Sequence, residues 1–164
     1  MTTRRTFVGG AALALAWPVL NRVAWAQDAE TGLATSGLIY VTPLKSDGAE
    51  SRCKAEIWFA YHDGACFVVT PPDAWRARAV AQGLTRARLW VGEFGIWTRA
   101  DNAFRQAPEL MATASLETDA GVHAAVLDIM GGKYAEDGWR RYGPQFRAGL
   151  QDGARVMIRY AIDA

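Results

Sequence analysis

Residues 54–70 read KAEIWFAYHDGACFVVT, with apolar, β-branched and aromatic residues on both sides of Asp63-Gly64. Asp-Gly between two such runs is a strong hairpin signal, because the tight turns that suit twisted strands need residues that tolerate positive φ. A turn centred there places Cys66 opposite Tyr61, and successive side chains alternate between the two faces of the hairpin. This stretch predicts an antiparallel hairpin, and the other elements are assigned outward from it.

Alternating or β-branched runs predict further strands on both sides of the hairpin. Apolar residues at helical spacing, with proline near helix starts and glycine near helix ends, predict the helices between them. About six strands with two or three helices indicate a mainly β protein with some α structure, a small barrel covered by helices. The strands are predicted at 38–44, 55–61, 65–70, 86–91 with a continuation through 93–97, 110–116 and 154–162, and the helices at 72–82, 122–130 and, as an irregular stretch, 133–153.

Local signals set the predicted helix ends. Thr70 stands before Pro71-Pro72 and is expected to cap the N-terminus of the first helix. Gly131-Gly132 is expected to end the second helix, because glycine favours the conformation that follows a C-terminus. The residues expected to break the third helical stretch are Gly138, Gly143 and Pro144.

The first 26 residues have the layout of an export signal. Arg4-Arg5 precede a short apolar run, and Ala24-Trp25-Ala26 places small residues before a switch to polar ones. The pattern resembles the twin-arginine signal, which implies export of a folded chain by the twin-arginine translocation machinery to the periplasm or the exterior. An uncleaved N-terminal anchor and the general secretory route are the alternatives. The expected organisation is a signal at 1–26, a flexible lead-in at 27–37 and one domain at 38–164, with no stable membrane span in the mature chain.

Composition restricts the function classes. The 164 residues carry 18 basic and 17 acidic side chains, and removal of residues 1–26 leaves 138 residues with 15 basic and 17 acidic ones. Proteins dedicated to nucleic acids normally have a basic excess, so no nucleic-acid partner is expected. Two His, two Cys and four Ser leave few groups for a multi-ligand zinc site or a Ser-His-Asp triad. Such a chain is compatible with chemistry carried by a bound cofactor.

The two cysteines are not expected to form a disulfide, and the two histidines are not expected to form a metal site. Cys53 lies eight residues before Tyr61, the expected partner of Cys66. Eight strand residues span about 26 Å, whereas a disulfide needs Cα atoms within about 7 Å, so we expect two free thiols. His62 and His123 have no second ligand at metal-binding spacing, so no metal site is predicted. Heme ligation by His62 is left open.

Several motifs follow one another in a characteristic order. They are Lys54 before Glu56-Ile57-Trp58-Phe59, the Asp-Gly hairpin, Val68-Val69-Thr70 leading into Trp75-Arg76-Ala77-Arg78, and Lys133-Tyr134, Trp139, Phe146-Arg147 and Leu150 before Val156-Met157-Ile158-Arg159. This order resembles the FMN-binding split-barrel superfamily, the pyridoxamine 5'-phosphate oxidase-like proteins, and their deazaflavin-binding relatives. The resemblance covers residues 38–162, and it depends on the order of the elements more than on any single motif.

The resemblance implies a homodimer of six-stranded split barrels that holds FMN in clefts along the dimer interface. It places the flavin phosphate near Thr70 and the arginines that follow, with the ring against the backbone of residues 54–58. Arg76 and Arg78 are about 200° apart on a helix and cannot both face one ligand. Arg78 is preferred because it shares a helix face with Trp75. The expected cofactor-binding residues are Lys54, Glu56, Ile57, Trp58, Val69, Thr70, Trp75, Arg76 and Arg78.

Other features of the same segment oppose a phosphate site. Pro71-Pro72 lack the amides that a helix terminus would offer to an anion, and Asp73 adds a like charge. A solvated helix face is the alternative for the arginines, and core or dimer packing is the alternative for Trp58. Tyr134 and Trp139 are expected to pack in the structure rather than to line a substrate entrance.

The function implied by the resemblance is that of an exported FMN-binding protein, an oxidoreductase acting on a small organic substrate. In such proteins the flavin carries the redox chemistry and the protein orients it, so no catalytic residue is named. Two alternatives are kept. One is a reductase that uses the deazaflavin F420, and the other is a non-catalytic split barrel that binds heme or flavin.

Overall fold

The computed structural model describes residue 29 and residues 31–136 and 138–163. In this part of the chain, seven strands form one antiparallel sheet with helices packed on it, the mainly β architecture of a split barrel. The strands are β1 (Ile39–Pro43), β2 (Ala55–Ile57), β3 (Ala60–His62), β4 (Ala65–Thr70), β5 (Arg86–Val91), β6 (Glu109–Glu117) and β7 (Val156–Ile162). The helices are α1 (Trp75–Ala81), α2 (Ala120–Lys133) and α3 (Trp139–Asp152), with a 3₁₀ turn at Ala103–Gln106.

The order of the strands explains why the sheet closes. The order is β2-β1-β5-β6-β7-β4-β3, so the two edge strands are consecutive in the chain, with only Trp58 and Phe59 between them. Three residue steps span at most about 11 Å. In a flat sheet, seven strands at a spacing of about 4.8 Å would put the edges about 29 Å apart. The sheet must therefore curl until its edges meet, which makes it a barrel.

Alternation of side chains along the strands fills the barrel and also covers part of its outside. Burial of each large apolar side chain contributes about 1.5–3 kcal/mol relative to exposure. The interior holds Ile39, Val41, Cys66, Val68, Leu89, Val91, Ala112, Ala114, Ile158 and Tyr160. On the outer face, Phe67, Val69 and Met157 pack beneath Val126, Leu127 and Met130 of α2. A separate outer cluster consists of Tyr40, Trp90, Phe104 and Ala107.

The predicted hairpin is confirmed in position and register. Tyr61 pairs with Cys66, and Asp63 and Gly64 take φ values of 44° and 71° at the turn. The prediction of one unbroken strand over 55–61 is wrong, because the chain divides into β2, which pairs with β1, and β3, which pairs with β4. The bend is needed to close the barrel, and strand propensity alone gives no sign of it.

The predicted N-cap of the first helix is also wrong. Thr70 is the last residue of β4, where it pairs with Val156, and its hydroxyl accepts a hydrogen bond from Arg76. The helix α1 begins only at Trp75, and its N-cap Ala74 supplies no side-chain cap. Two consecutive prolines favour extended backbone after the strand, which delays the helix.

Glycines at the predicted helix breaks serve close packing. Gly131 does not end α2, which continues to Lys133, and a Cβ at Gly131 would lie 3.0 Å from the indole Nε1 of Trp139. Gly143 lies within α3, where a Cβ would come 2.7 Å from Cε2 of Trp139. Pro144 also lies inside α3, and the helix tolerates it because the carbonyl left without a donor belongs to the exposed Arg140. The break predicted at Gly138 is confirmed, with φ of 89° immediately before α3.

Two further segments differ from expectation. Residues 93–97 do not extend β5, because the Tyr40 hydroxyl accepts a hydrogen bond from the Phe94 amide at 2.8 Å and donates one to the Gly95 carbonyl at 2.6 Å. Residues 31–35, in the expected flexible lead-in, are helical, and Leu33 is buried against the barrel core. The expected signal at 1–26 lies outside the described residues.

Both cysteines are free thiols, as expected. Cys66 is buried in the barrel, and burial raises the pKa of its thiol to about 12. Cys53 is only half-buried. Within the described part of the chain, no helix has the length and apolar character needed to cross a membrane.

Candidate functional site

The barrel is open along one line, between β2 and the Val68–Thr70 end of β4. β2 pairs only with β1, and β3 pairs with β4 only at Ala65–Phe67. No backbone hydrogen bond joins β2 to β4 in the described chain. This opening, called the split below, leaves backbone N–H and C=O groups of β2 free to contact a ligand. Two cavities adjoin it.

The first cavity, called the basic cavity, encloses about 280 Å³ and lies where β1, the start of β2 and α1 meet. Arg76 enters it from α1, and its Nη1 donates a hydrogen bond to Thr70 Oγ1 at 2.7 Å. Among the described residues neither Arg52 nor Arg76 pairs with a carboxylate. Since a guanidinium carries five N–H donors, most of those on Arg76 are available to an anion. The lining residues are Val41, Pro43, Arg52, Cys53, Lys54, Ala55, Trp75, Arg76 and Trp97.

Lys54 differs from these arginines because it has a carboxylate partner, Glu50. Its Nζ lies 3.4 Å from Glu50 Oε2, and the same carboxylate contacts Arg88 and Arg105. Hydrogen bonding to Arg105 is the largest effect that lowers the Glu50 pKa to about 2. The carboxylate is therefore ionised at neutral pH, and Arg52 and Arg76 are the cations of the basic cavity that no described carboxylate contacts.

The second cavity, called the apolar cleft, encloses about 310 Å³ beside the end of β2. Its main wall is Trp58, whose ring is stacked on Tyr134 with a centroid separation of 4.5 Å and an interplanar angle of 10°. An aromatic wall beside a free strand edge suits a flat ring that has polar atoms on its rim. The lining residues are Leu38, Glu56, Ile57, Trp58, Val69 and Phe146.

Tyr134 holds the wall of the cleft in place from beneath. It is 1% exposed, and its hydroxyl accepts a hydrogen bond from the Phe59 amide at 2.8 Å. The same oxygen lies 2.8 Å from the Gly37 carbonyl and 3.0 Å from the Phe59 carbonyl, to one of which it donates. The hydroxyl thus satisfies backbone groups at the bend that closes the barrel.

The loop after β5 carries Trp97 to the basic cavity. The Trp97 amide donates to Glu56 Oε2 at 3.2 Å, so this loop is tied to a residue of the apolar cleft. Val69 lines the cleft, and the next residue, Thr70, contacts Arg76 of the basic cavity. Consecutive residues of β2 also line the two cavities, Ala55 the basic cavity and Glu56 the apolar cleft, and together the cavities offer a cationic end and an aromatic end.

The structure divides the residues predicted for cofactor binding into three groups. Lys54, Trp75 and Arg76 line the basic cavity, with Thr70 bonded to Arg76. Glu56, Ile57, Trp58 and Val69 line the apolar cleft. Arg78 is exposed and lines a separate depression with Trp75, Ala79, Gln82 and Leu84. Of the two arginines, Arg76 is the one that lines the basic cavity, because α1 turns Arg76 towards it and Arg78 away.

Six of the nine residues that line the basic cavity were not predicted from the sequence, among them Arg52, Cys53 and Trp97. Arg52 and Cys53 directly precede the hairpin stretch at 54–70, and no motif in the sequence marks them as cavity residues. Trp97 lies on the loop after β5, far from the cavity in sequence, and only the fold brings it there.

Neither histidine lines a described cavity. His62 lies at the hairpin turn, 3.4 Å from the Asp63 carboxylate, and His123 Nε2 lies 2.9 Å from the Glu117 carbonyl. Within the described residues no group of three His, Cys, Asp or Glu side chains could hold a metal ion.

The fold has clear counterparts among solved structures, although no family model and no curated protein matches the chain. It is similar to the heme storage protein HutZ from Vibrio cholerae, with a TM-score of 0.55 and 16% identity over 84% of this chain and 89% of that one. A protein from Listeria innocua that is described as a pyridoxamine 5'-phosphate oxidase gives a TM-score of 0.54 at 12% identity, over 84% and 93% of the chains. General stress protein 26 from Bacillus anthracis gives 0.53 at 12% identity, over 84% and 88%.

These neighbours are pyridoxamine 5'-phosphate oxidase-like split-barrel proteins. At such low identities the similarity establishes the fold of the chain. Substrate and cofactor must be argued from the cavities themselves, because one fold hosts several functions.

Proposed function

We propose that this chain is an exported FMN-binding split-barrel protein, an oxidoreductase that acts on a small organic substrate. The observation that carries the proposal is the junction at the split. There consecutive residues of β2 line both cavities, the basic cavity with Arg76 at its cationic end and the apolar cleft with Trp58 at its aromatic end. A phosphorylated flavin has a matching pair of ends, a dianionic phosphate and a flat ring.

The residues present fit such a group. Arg76 and Arg52 would hold the phosphate, because forked guanidinium donors suit phosphate oxygens. Trp58 and the backbone of β2 would face the ring. When bound, the flavin supplies hydride or electron transfer, and the side chains of this protein position it and exclude water. No residue of the chain is assigned a proton-transfer role.

The names of two neighbours, a heme storage protein and a pyridoxamine 5'-phosphate oxidase, support cofactor binding in this fold without deciding which cofactor. The cavity residues favour FMN over heme, because neither histidine lines the basic cavity or the apolar cleft. The deazaflavin F420 shares the ring and phosphate chemistry, so titration must separate it from FMN.

The direct test is a titration of purified protein with FMN, F420 and hemin, followed by absorbance and by quenching of flavin fluorescence. We expect saturable binding of FMN that is tighter than that of the other two. Tighter binding of F420 or hemin, or no binding of FMN, would overturn the proposal.

The thiols of the chain offer a second measurement of where FMN binds. Cys53 lines the basic cavity and is half-buried, whereas Cys66 is buried with a raised pKa. Iodoacetamide should therefore alkylate Cys53 first, and saturating FMN should slow that reaction. Binding of FMN that leaves the alkylation rate unchanged would place the flavin elsewhere.

The export route and the homodimer are parts of the same proposal. The Arg4-Arg5 signal supports twin-arginine export and a periplasmic location. Cell fractionation with an Arg4→Lys, Arg5→Lys double variant tests this, and retention of the uncleaved precursor in the cytoplasm is the expected result. The resemblance to dimeric split-barrel proteins supports a homodimer. Light scattering should then give twice the chain mass.

A further inference from the structure

Glu56, in the middle of β2, carries the charge that distinguishes the apolar cleft from the basic cavity. The other residues that line the cleft have neutral side chains, whereas the basic cavity is lined by two arginines and a lysine and by no acid. Among the described residues no lysine, arginine or histidine nitrogen lies within 4.0 Å of the Glu56 carboxylate. The cleft that is proposed to take the flavin ring therefore contains a negative charge that no described cation contacts.

The Glu56 carboxylate is bonded through one oxygen and open at the other. Glu56 pairs with Tyr40 of β1, and its Oε2 accepts a hydrogen bond from the Trp97 amide at 3.2 Å. In the described part of the chain, Oε1 has no hydrogen-bond partner. The side chain is half-buried. The bond to Oε2 limits the movement of the carboxylate, so its charge stays beside the cleft.

A fixed charge beside a flavin ring acts differently on the two oxidation states of the flavin. The oxidised ring is neutral, whereas two electrons and one proton convert it into a reduced ring with one negative charge. A carboxylate in the same cleft repels that charge, so the protein binds the reduced ring less tightly than it would without the carboxylate. Each tenfold loss of affinity for the reduced form relative to the oxidised form lowers the potential of this two-electron couple by about 30 mV.

We propose that Glu56 lowers the reduction potential of the bound flavin by holding a negative charge in the apolar cleft, beside the ring. A lower potential makes the reduced flavin a stronger electron donor, which suits a protein whose substrate accepts electrons. Glu56 acts through its charge and transfers no proton. The inference rests on the proposed function, because it requires FMN with its ring in this cleft.

The test compares the parent chain with Glu56→Gln, both loaded with FMN. Glutamine can still accept the hydrogen bond from the Trp97 amide, but it lacks the charge. The potential is measured without oxygen, by slow reduction with xanthine and xanthine oxidase beside a reference dye, and is followed by absorbance. We expect the affinity for reduced FMN relative to oxidised FMN to rise about tenfold in Glu56→Gln, which raises the potential by about 30 mV.

Two further variants separate the charge from the structural role of the side chain. Glu117→Gln is the matched control, because Glu117 is also half-buried and its Oε1 also accepts backbone amides, those of Thr118 and Asp119. Glu117 lines neither the basic cavity nor the apolar cleft, so the potential should stay at the parent value. Glu56→Asp keeps the charge in the cleft, and its potential should stay closer to that of the parent chain than to that of Glu56→Gln.

The outcomes distinguish this proposal from the proposed function. If the parent chain binds FMN and Glu56→Gln leaves the potential unchanged or lowers it, the role of Glu56 is refuted and the proposed function stands. Equal weakening of both oxidation states, with no change in potential, would mean that Glu56 only supports the loop that carries Trp97. An equal rise in Glu117→Gln would refute the proposal too, because the shift would then come from net charge. Absence of FMN binding to the parent chain would overturn both proposals.

Discussion

The basic cavity and the apolar cleft adjoin one another at the split, yet they are built in opposite ways. Arg76 and Arg52 reach the cavity as half-buried and exposed side chains, with no carboxylate partner in the described chain. Trp58 belongs to the cleft and also packs on the buried Tyr134. Charge recognition can thus be altered without disturbing the core, whereas ring recognition cannot. The predictions below test this difference.

The largest effect is expected from removal of the cationic end. Arg76→Ala should weaken FMN binding about 10- to 150-fold, because a hydrogen bond to a charged group contributes about 1.5–3 kcal/mol. Fluorescence titration measures this. Arg78→Ala is the matched control, since Arg78 lies on the same helix but is exposed and outside the cavity. Equal losses in the two variants would contradict the assignment of Arg76.

The next effect concerns the support of the cleft. Tyr134→Phe should lower the free energy of unfolding by about 1–3 kcal/mol, because the buried Phe59 amide loses its acceptor. Urea denaturation measures the change. Tyr142→Phe is the control, since Tyr142 is 38% exposed and contacts Trp58 only edge-on, so a change within about 0.5 kcal/mol is expected. If Tyr134→Phe left the free energy of unfolding unchanged, water would have to supply the hydrogen bond to the Phe59 amide.

Acid should weaken the ion pairs behind the basic cavity. The folded-state pKa of Glu50 is about 2, below its ordinary 4.5, so the stabilisation is present above about pH 4.5 and is lost as pH falls towards 2. Allowing for partial exposure, it should amount to about 1–2 kcal/mol. The difference in unfolding free energy between the parent chain and Glu50→Gln should shrink between pH 5 and pH 2. If that difference in unfolding free energy stayed the same from pH 5 to pH 2, Glu50 would stabilise the fold through packing and not through its charge.

The smallest effect separates the two cavities most directly. Trp58→Leu should weaken FMN binding about 2- to 12-fold, as expected for an aromatic contact of about 0.5–1.5 kcal/mol. Binding of inorganic phosphate, measured by competition with FMN, should not change. If phosphate binding weakened as well, the cleft and the cavity would have to be treated as one site.

Much of the local structure could be predicted from the sequence. The register of Tyr61 with Cys66 follows from Asp63-Gly64, because two residues at positive φ define a tight turn. Glu56, Trp58 and Val69 were predicted as site residues, and they line one cleft. The choice between Arg76 and Arg78 could not be predicted, because helix geometry shows that they diverge without showing which one faces the barrel.

By itself, the sequence determined the strands, the hairpin and the residues that alternate into the barrel, since these depend on turn chemistry and side-chain periodicity within a few residues. Only the tertiary structure decided the bend at Trp58-Phe59, which sends β2 and β3 to opposite edges of one sheet. That bend results from contacts between strands distant in the chain, such as β4 with β7, which local propensity cannot encode. The same closure brings Trp97, Arg76 and Thr70 to the split, and it is there that the proposed flavin site lies.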